Sequence, residues 1–138
     1  MEENREIINF SAAFIVKDRK LLIVQAGENQ MDPLKWQLPG AVLIDDEKFD
    51  DALIRYFAHL QMKEDANLEV GSIEIDTEDK ILMKMFILME GDTELDKFRD
   101  EYMDLKYAGF DEISSLELAP AESEFIKLYE NEIKRYID

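Results

Sequence analysis

Five acidic side chains, Asp45, Asp46, Glu47, Asp50 and Asp51, fall within seven consecutive residues. Carboxylate oxygens that converge from a fixed scaffold hold hard divalent ions, so Asp45, Asp46, Asp50 and Asp51 could build a metal site. The alternative is local: acidic residues at the start of a helix cap it and complement its dipole, and this is their ordinary role. The sole histidine, His59, could act as a ligand or general base, or be a polar residue on a helix surface. One imidazole excludes any site built from several. With no cysteine, there is neither a disulfide framework nor thiolate chemistry.

The acidic run leads into an amphipathic segment. Phe49, Ala52, Leu53, Tyr56, Phe57 and Leu60 recur at helical spacing, which predicts a helix opened by Asp45-Asp46-Glu47 and ending near Met62. Ahead of it, Ile7 to Val16 and Lys20 to Gln25 read as strands of a hairpin around Lys17-Asp18-Arg19. Residues 27–33 read as a loop, and Trp36 to Ile44 as a short strand on each side of Pro39-Gly40. Downstream, Leu68 to Asp76 and Lys80 to Met89 read as strands joined by Thr77-Glu78-Asp79, with Met83, Met85 and Met89 as packing residues. Residues 91–104 are charged and carry no clear pattern, and Lys106 to Phe110 reads as a further strand. Pro120 suits the first position of a last helix, with Glu122 and Glu124 in its opening turn. Its buried stripe would be Phe125, Ile126, Tyr129, Ile133, Tyr136 and Ile137. This order implies helices packed on a mixed sheet, in one domain over 1–138 without repeats or linkers.

Composition bounds the partners. Thirty-three acidic residues against sixteen basic ones give a net charge of −17, which repels phosphate backbones and anionic membranes. General nucleic-acid binding and membrane association are therefore not expected. The charge serves solubility, or recruits cations or a basic partner. No stretch approaches the ~20 apolar residues of a membrane span. The charged start, Met1 to Glu6, lacks the apolar core of a signal peptide, so a cytoplasmic protein is expected.

Trp36-Gln37-Leu38-Pro39-Gly40 followed by an acidic-started helix resembles the Nudix (MutT-like) family, whose box reads G-x5-E-x7-R-E-U-x-E-E-x-G-U. The hairpin, tryptophan strand, helix and Pro-started last helix follow the family order over most of the chain. Gly40 matches the glycine, and Glu47 with Arg55 matches E-x7-R, although six residues separate Gly40 from Glu47. The glycine usual after Pro-Gly is Ala41 here. In the family this Glu and Arg form largely a structural pair, so the resemblance implies that the loop-helix joint is kept. The box glutamates are not. Their positions carry Tyr56, His59 and Leu60, and the closing glycine is Met62. Removing the extra loop residue places Arg55, Ala58 and His59 there instead.

The resemblance implies an α+β fold, an α/β/α sandwich with a mixed sheet. Family enzymes hydrolyse nucleoside diphosphates linked to another group, using Mg²⁺ or Mn²⁺ to neutralise developing charge and activate water. Positions 56, 59 and 60 share one helix face, so Tyr56, His59 and Leu60 leave that face without carboxylates. Tyr56 and Leu60 could form an apolar floor for a ligand, or simply extend the core. Two function classes follow. In the preferred one the domain is catalytically silent, needs no cofactor, and binds a nucleotide-like metabolite or a protein partner. In the other it is a Mg²⁺- or Mn²⁺-dependent hydrolase whose ligands come from Asp45, Asp46, Glu101 and Asp104, the last two lying where some relatives place a further carboxylate. A purely structural role is a third possibility. Ligand identity, pathway and oligomeric state are not encoded in any motif.

Overall fold

The strand that begins at Glu6 organises the molecule because both of its faces are buried. In the computed structural model, which describes residues 5–91 and 93–138, β1 spans Glu6–Phe14. The charged start Met1–Asn4 and Asp92 of the unpatterned segment lie outside the described residues. Alternate residues of β1 go to opposite sides, as a pleated strand requires. Ala12 and Phe14 enter one apolar cluster, and Ala13 enters the other.

Three strands join β1 in a mixed sheet of order β5-β1-β7-β6. β5 (Gly40–Val42) runs antiparallel to β1, whereas β7 (Lys80–Gly91) runs parallel to it over nine paired residues. β6 (Glu64–Asp76) closes the sheet as an antiparallel edge strand, longer than the expected Leu68 to Asp76. A second, smaller sheet pairs β3 (Lys20–Gln25) with β2 (Val16–Lys17), β4 (Trp36–Gln37) and β8 (Asp104–Ala108). The order of elements along the chain suggests only one sheet, because it does not say which strands pair.

Helices cover both faces of the mixed sheet, so the expected α/β/α sandwich is the observed architecture. On one face lies α1 (Phe49–His59), which buries Ala52, Leu53, Tyr56 and Phe57. It ends three residues before Met62. Gln61 takes a positive φ of 60°, and the Met62 N–H bonds back to the Phe57 carbonyl at 2.9 Å. That is a Schellman closure, fastened by the shared burial of Phe57 and Met62.

On the other face lie α3 (Pro120–Leu128) and α4 (Glu130–Ile133). Pro120 occupies the first turn of α3 as expected. The single last helix expected from the sequence is two, however, broken at Tyr129. Its ring lies so close over Gly71 that any Cβ there would collide with it, and its hydroxyl donates to the Ser72 carbonyl at 3.1 Å. This docking holds Tyr129 outside helical geometry. The expected strand over Lys106 to Phe110 also shifts: β8 stops at Ala108 and α2 (Phe110–Ser114) begins after Gly109. Within residues 91–104 a short 3-10 helix, Leu95–Phe98, buries Phe98 against α1.

Candidate functional site at the signature helix

The loop-helix joint is built by Glu47 and Arg55. Arg55 Nε donates to Glu47 Oε2 at 2.8 Å, and a second guanidinium nitrogen donates to Oε1 at 3.0 Å. That same nitrogen also donates to the Val42 carbonyl at 2.9 Å, tying α1 to the end of β5. Glu47 Oε1 accepts the Ile44 N–H at 3.1 Å, closing the turn of residues 44–47. The Arg55 hydrogen bonds hold the Glu47 carboxyl below its ordinary range and raise the guanidinium in turn.

This use of Glu47 corrects the expected helix start. Lys48 is the N-cap, with no side-chain capping bond, and Asp45 and Asp46 lie ahead of the helix as exposed loop residues. Asp45 has a positive φ of 51°, suited to a tight turn. Asp50 and Asp51 are the first-turn acids, and Asp50 accepts the Asp51 N–H at 3.0 Å.

Gly40 opens β5 opposite Ala12, where a Cβ would run into the Ser11 carbonyl, so only glycine lets the two strands approach this closely. Close to its backbone lies Tyr102, whose hydroxyl meets the hydroxyl of Tyr56 at 2.8 Å. Tyr56 and Tyr102 stand among Phe57 and Phe98, each at edge-on or tilted angles to a neighbour. Burial is the main cause that pushes the Tyr56 phenol far above its ordinary value. Burial also pushes Tyr102 up to about 12, although its hydrogen bond to Tyr56 and the nearby Gly40 backbone pull the other way. Both hydroxyls are neutral at physiological pH. His59 is exposed in the last turn of α1, and Leu60 is half-buried at its C-cap.

Of the remaining candidates, Glu101 lies near this centre, where its charge adds to the burial that raises both phenols. Asp104 is exposed and accepts the N–H of its own neighbour Leu105 at 2.8 Å. The Glu101 carbonyl accepts the Gln30 amide at 2.6 Å, fixing the loop that delivers Tyr102. Among the described residues, no three His, Cys, Asp or Glu side chains are grouped so as to hold a metal ion.

On the opposite face, Lys84 and Glu122 form a buried ion pair at 2.5 Å, with side chains 3% and 1% exposed. Glu122 also accepts the Leu38 N–H at 3.0 Å, and Lys84 sits 4.6 Å over the Phe10 ring. Glu122 therefore ties α3 to the sheet from the opening turn in which the sequence places it. The lone lysine within the apolar run of residues 81–89 is the signal in the sequence, since such a cation needs a partner. Tyr102 has none beyond its aromatic character.

No family sequence model matches the chain, and no curated protein matches it by sequence. Solved structures do. A MutT protein of methicillin-resistant Staphylococcus aureus 252, described as a Nudix hydrolase, is 24% identical with a TM-score of 0.75, covering 95% of this chain and 98% of that one. A MutT protein from Methanosarcina mazei Go1 has the same TM-score and coverage at 17% identity. A Nudix hydrolase from Nitrosomonas europaea has a TM-score of 0.65 at 16% identity, covering 96% and 88%.

This chain has the Nudix fold.

The signature helix of that fold here carries one neutral phenol, an exposed imidazole and an aliphatic side chain, and the loop before β8 adds the second phenol. Such donors do not suit Mg²⁺ or Mn²⁺, which take several oxygen ligands, mostly carboxylate, carbonyl or water. Tyr56 and Leu60 belong to the buried cluster beneath the helix, so they extend the core and do not floor an open pocket.

Among the described residues no helix is long and apolar enough to cross a membrane.

Proposed function

We propose that this Nudix-fold domain is a catalytically silent, cytoplasmic binding module, taking a nucleotide-like metabolite or a protein partner. The observation that carries this reading is the Tyr56–Tyr102 hydroxyl contact at 2.8 Å, made where the resemblance puts glutamate at position 56. Hydrolysis between two phosphates requires charge neutralisation and an activated water, and two neutral phenols supply neither. The net charge of −17 argues against nucleic acid as the ligand.

A second reading is favoured by the structural neighbours, which include Nudix hydrolases and an ADP-ribose pyrophosphatase. It requires Mg²⁺ or Mn²⁺ held by Asp45, Asp46, Glu101 and Asp104. Their dispersal weighs against it.

A phosphate-release panel separates the two. Dinucleotide, nucleotide-sugar and nucleoside-triphosphate substrates, each with Mg²⁺ and with Mn²⁺, are expected to stay at background. Robust metal-dependent turnover would overturn the silent reading.

A further inference from the structure

The first turn of α1 stands over the mixed sheet but leaves an open groove beside β6, of about 220 Å³. Phe49, Met85 and Ile87 supply apolar lining, and both Phe49 and Met85 are only half-buried. Asp50 and Glu69 line the same groove, and no basic residue does. Both acids are exposed, and among the described residues neither has a counter-ion. Among those residues the Asp50 carboxylate bonds only the N–H of Asp51, and the Glu69 carboxylate bonds nothing.

Three features select the occupant. The groove is smaller than the ~300 Å³ at which cofactor and drug-sized pockets begin, so it suits one or two apolar side chains. Its neighbouring edge strand is bulged between Ala66 and Leu68 and again between Glu69 and Gly71. Those bulges interrupt the ladder at this point, so recognition runs through side chains and not through an added strand. Finally, two uncompensated carboxylates on a protein of charge −17 repel a second copy or an anionic ligand, and attract a cation.

We propose that this groove docks a basic amphipathic segment of another protein. An apolar side chain of that segment seats on Phe49, Met85 and Ile87, and flanking Lys or Arg side chains face Asp50 and Glu69. The flexible, polarisable Met85 adapts to the shape of the inserted group. The inference rests on the binding-module reading and deepens it by naming the chemistry of the partner.

The probe is a synthetic amphipathic peptide of Leu, Phe and Lys, with a twin in which every Lys is Glu, titrated against the full chain carrying ¹³C-methyl methionine. The basic peptide is expected to bind and to shift the Met85 methyl signal, identified by its loss in Met85→Gln, while the acidic twin does nothing. Met85→Gln keeps the net charge but should weaken binding by about tenfold, the value of one half-buried apolar contact. Glu69→Gln should weaken it several-fold more than Asp111→Asn, which removes the same single charge from α2. Binding that ignores Met85→Gln, or that responds equally to the two charge removals, would show a diffuse electrostatic effect and overturn the proposal. So would absence of binding, or a dimer of this chain that protects Met85. The phosphate-release panel measures catalysis independently, so a failure of this docking proposal is distinguishable from a failure of the silent reading.

Discussion

The hydroxyls of Tyr56 and Tyr102 meet at 2.8 Å across 46 residues of sequence, joining α1 to the loop that precedes β8. The contact sits at the helix face where the resemblance predicts metal-binding carboxylates. It fastens the loop to the helix with neutral groups.

The pair should contribute to stability in a pH-dependent way. Tyr56→Phe and Tyr102→Phe should each cost about 1 kcal/mol in denaturant unfolding, with the double mutant costing less than their sum. Both phenols are raised in the fold, so their contribution is complete below the ordinary tyrosine value of 10.0 and is lost as pH rises from there toward about 12, where Tyr102 titrates. Stability measured across that range should fall more gently in Tyr102→Phe than in the natural protein. A pH profile unchanged by the substitution would refute the assignment.

Acid should loosen the joint of Glu47 and Arg55. The folded carboxyl lies below its ordinary 4.5, so its contribution is present above that pH and is lost as pH falls through the folded value. The melting temperature of Glu47→Gln should therefore lie below that of the natural protein at neutral pH and converge with it in acid. A gap that persists at low pH would assign the effect to shape and not to charge.

Breaking the buried Lys84–Glu122 pair should be costly. Lys84→Met alone should lose roughly 3–5 kcal/mol, because Glu122 would be left charged, buried and without its cation. Adding Glu122→Gln should recover most of the loss, since the amide oxygen can still accept the Leu38 N–H. Equal stability of the single and double variants would contradict the charge argument.

Restoring the carboxylates tests the signature helix directly. In Tyr56→Glu, His59→Glu, Leu60→Glu, Mn²⁺ should raise the melting temperature, whereas in the natural protein it should not. The metal-free variant should be markedly less stable, because position 56 lies within the aromatic cluster and a carboxylate there is desolvated. Equal stabilisation of both proteins by Mn²⁺ would point to a metal site elsewhere.

Much of this molecule is legible in one dimension. The mostly apolar, β-branched run from Ile7 to Val16 and the i, i+3, i+4 spacing from Phe49 to Phe57 point to a strand and a helix, because each pattern follows from the local geometry of its own backbone. The E-x7-R spacing brings Glu47 to Arg55 for a related reason, since two turns of helix and one loop turn span it. That Tyr56, His59 and Leu60 carry no carboxylate needs no coordinates at all. Other features depend on the folded geometry and on chain segments far apart in sequence. Glu47 bonds Arg55 and the Ile44 N–H, and this delays the helix to Phe49, against the cap expected at Asp45. Gly71 receives the Tyr129 ring and breaks the last helix in two. Glu122 follows Pro120 as a surface acid would, yet the fold carries it to Lys84, and burial makes that pairing obligatory. Tyr102 lies in a charged stretch with no periodicity, and only the closure of its loop over α1 gives its hydroxyl the partner that defines the site.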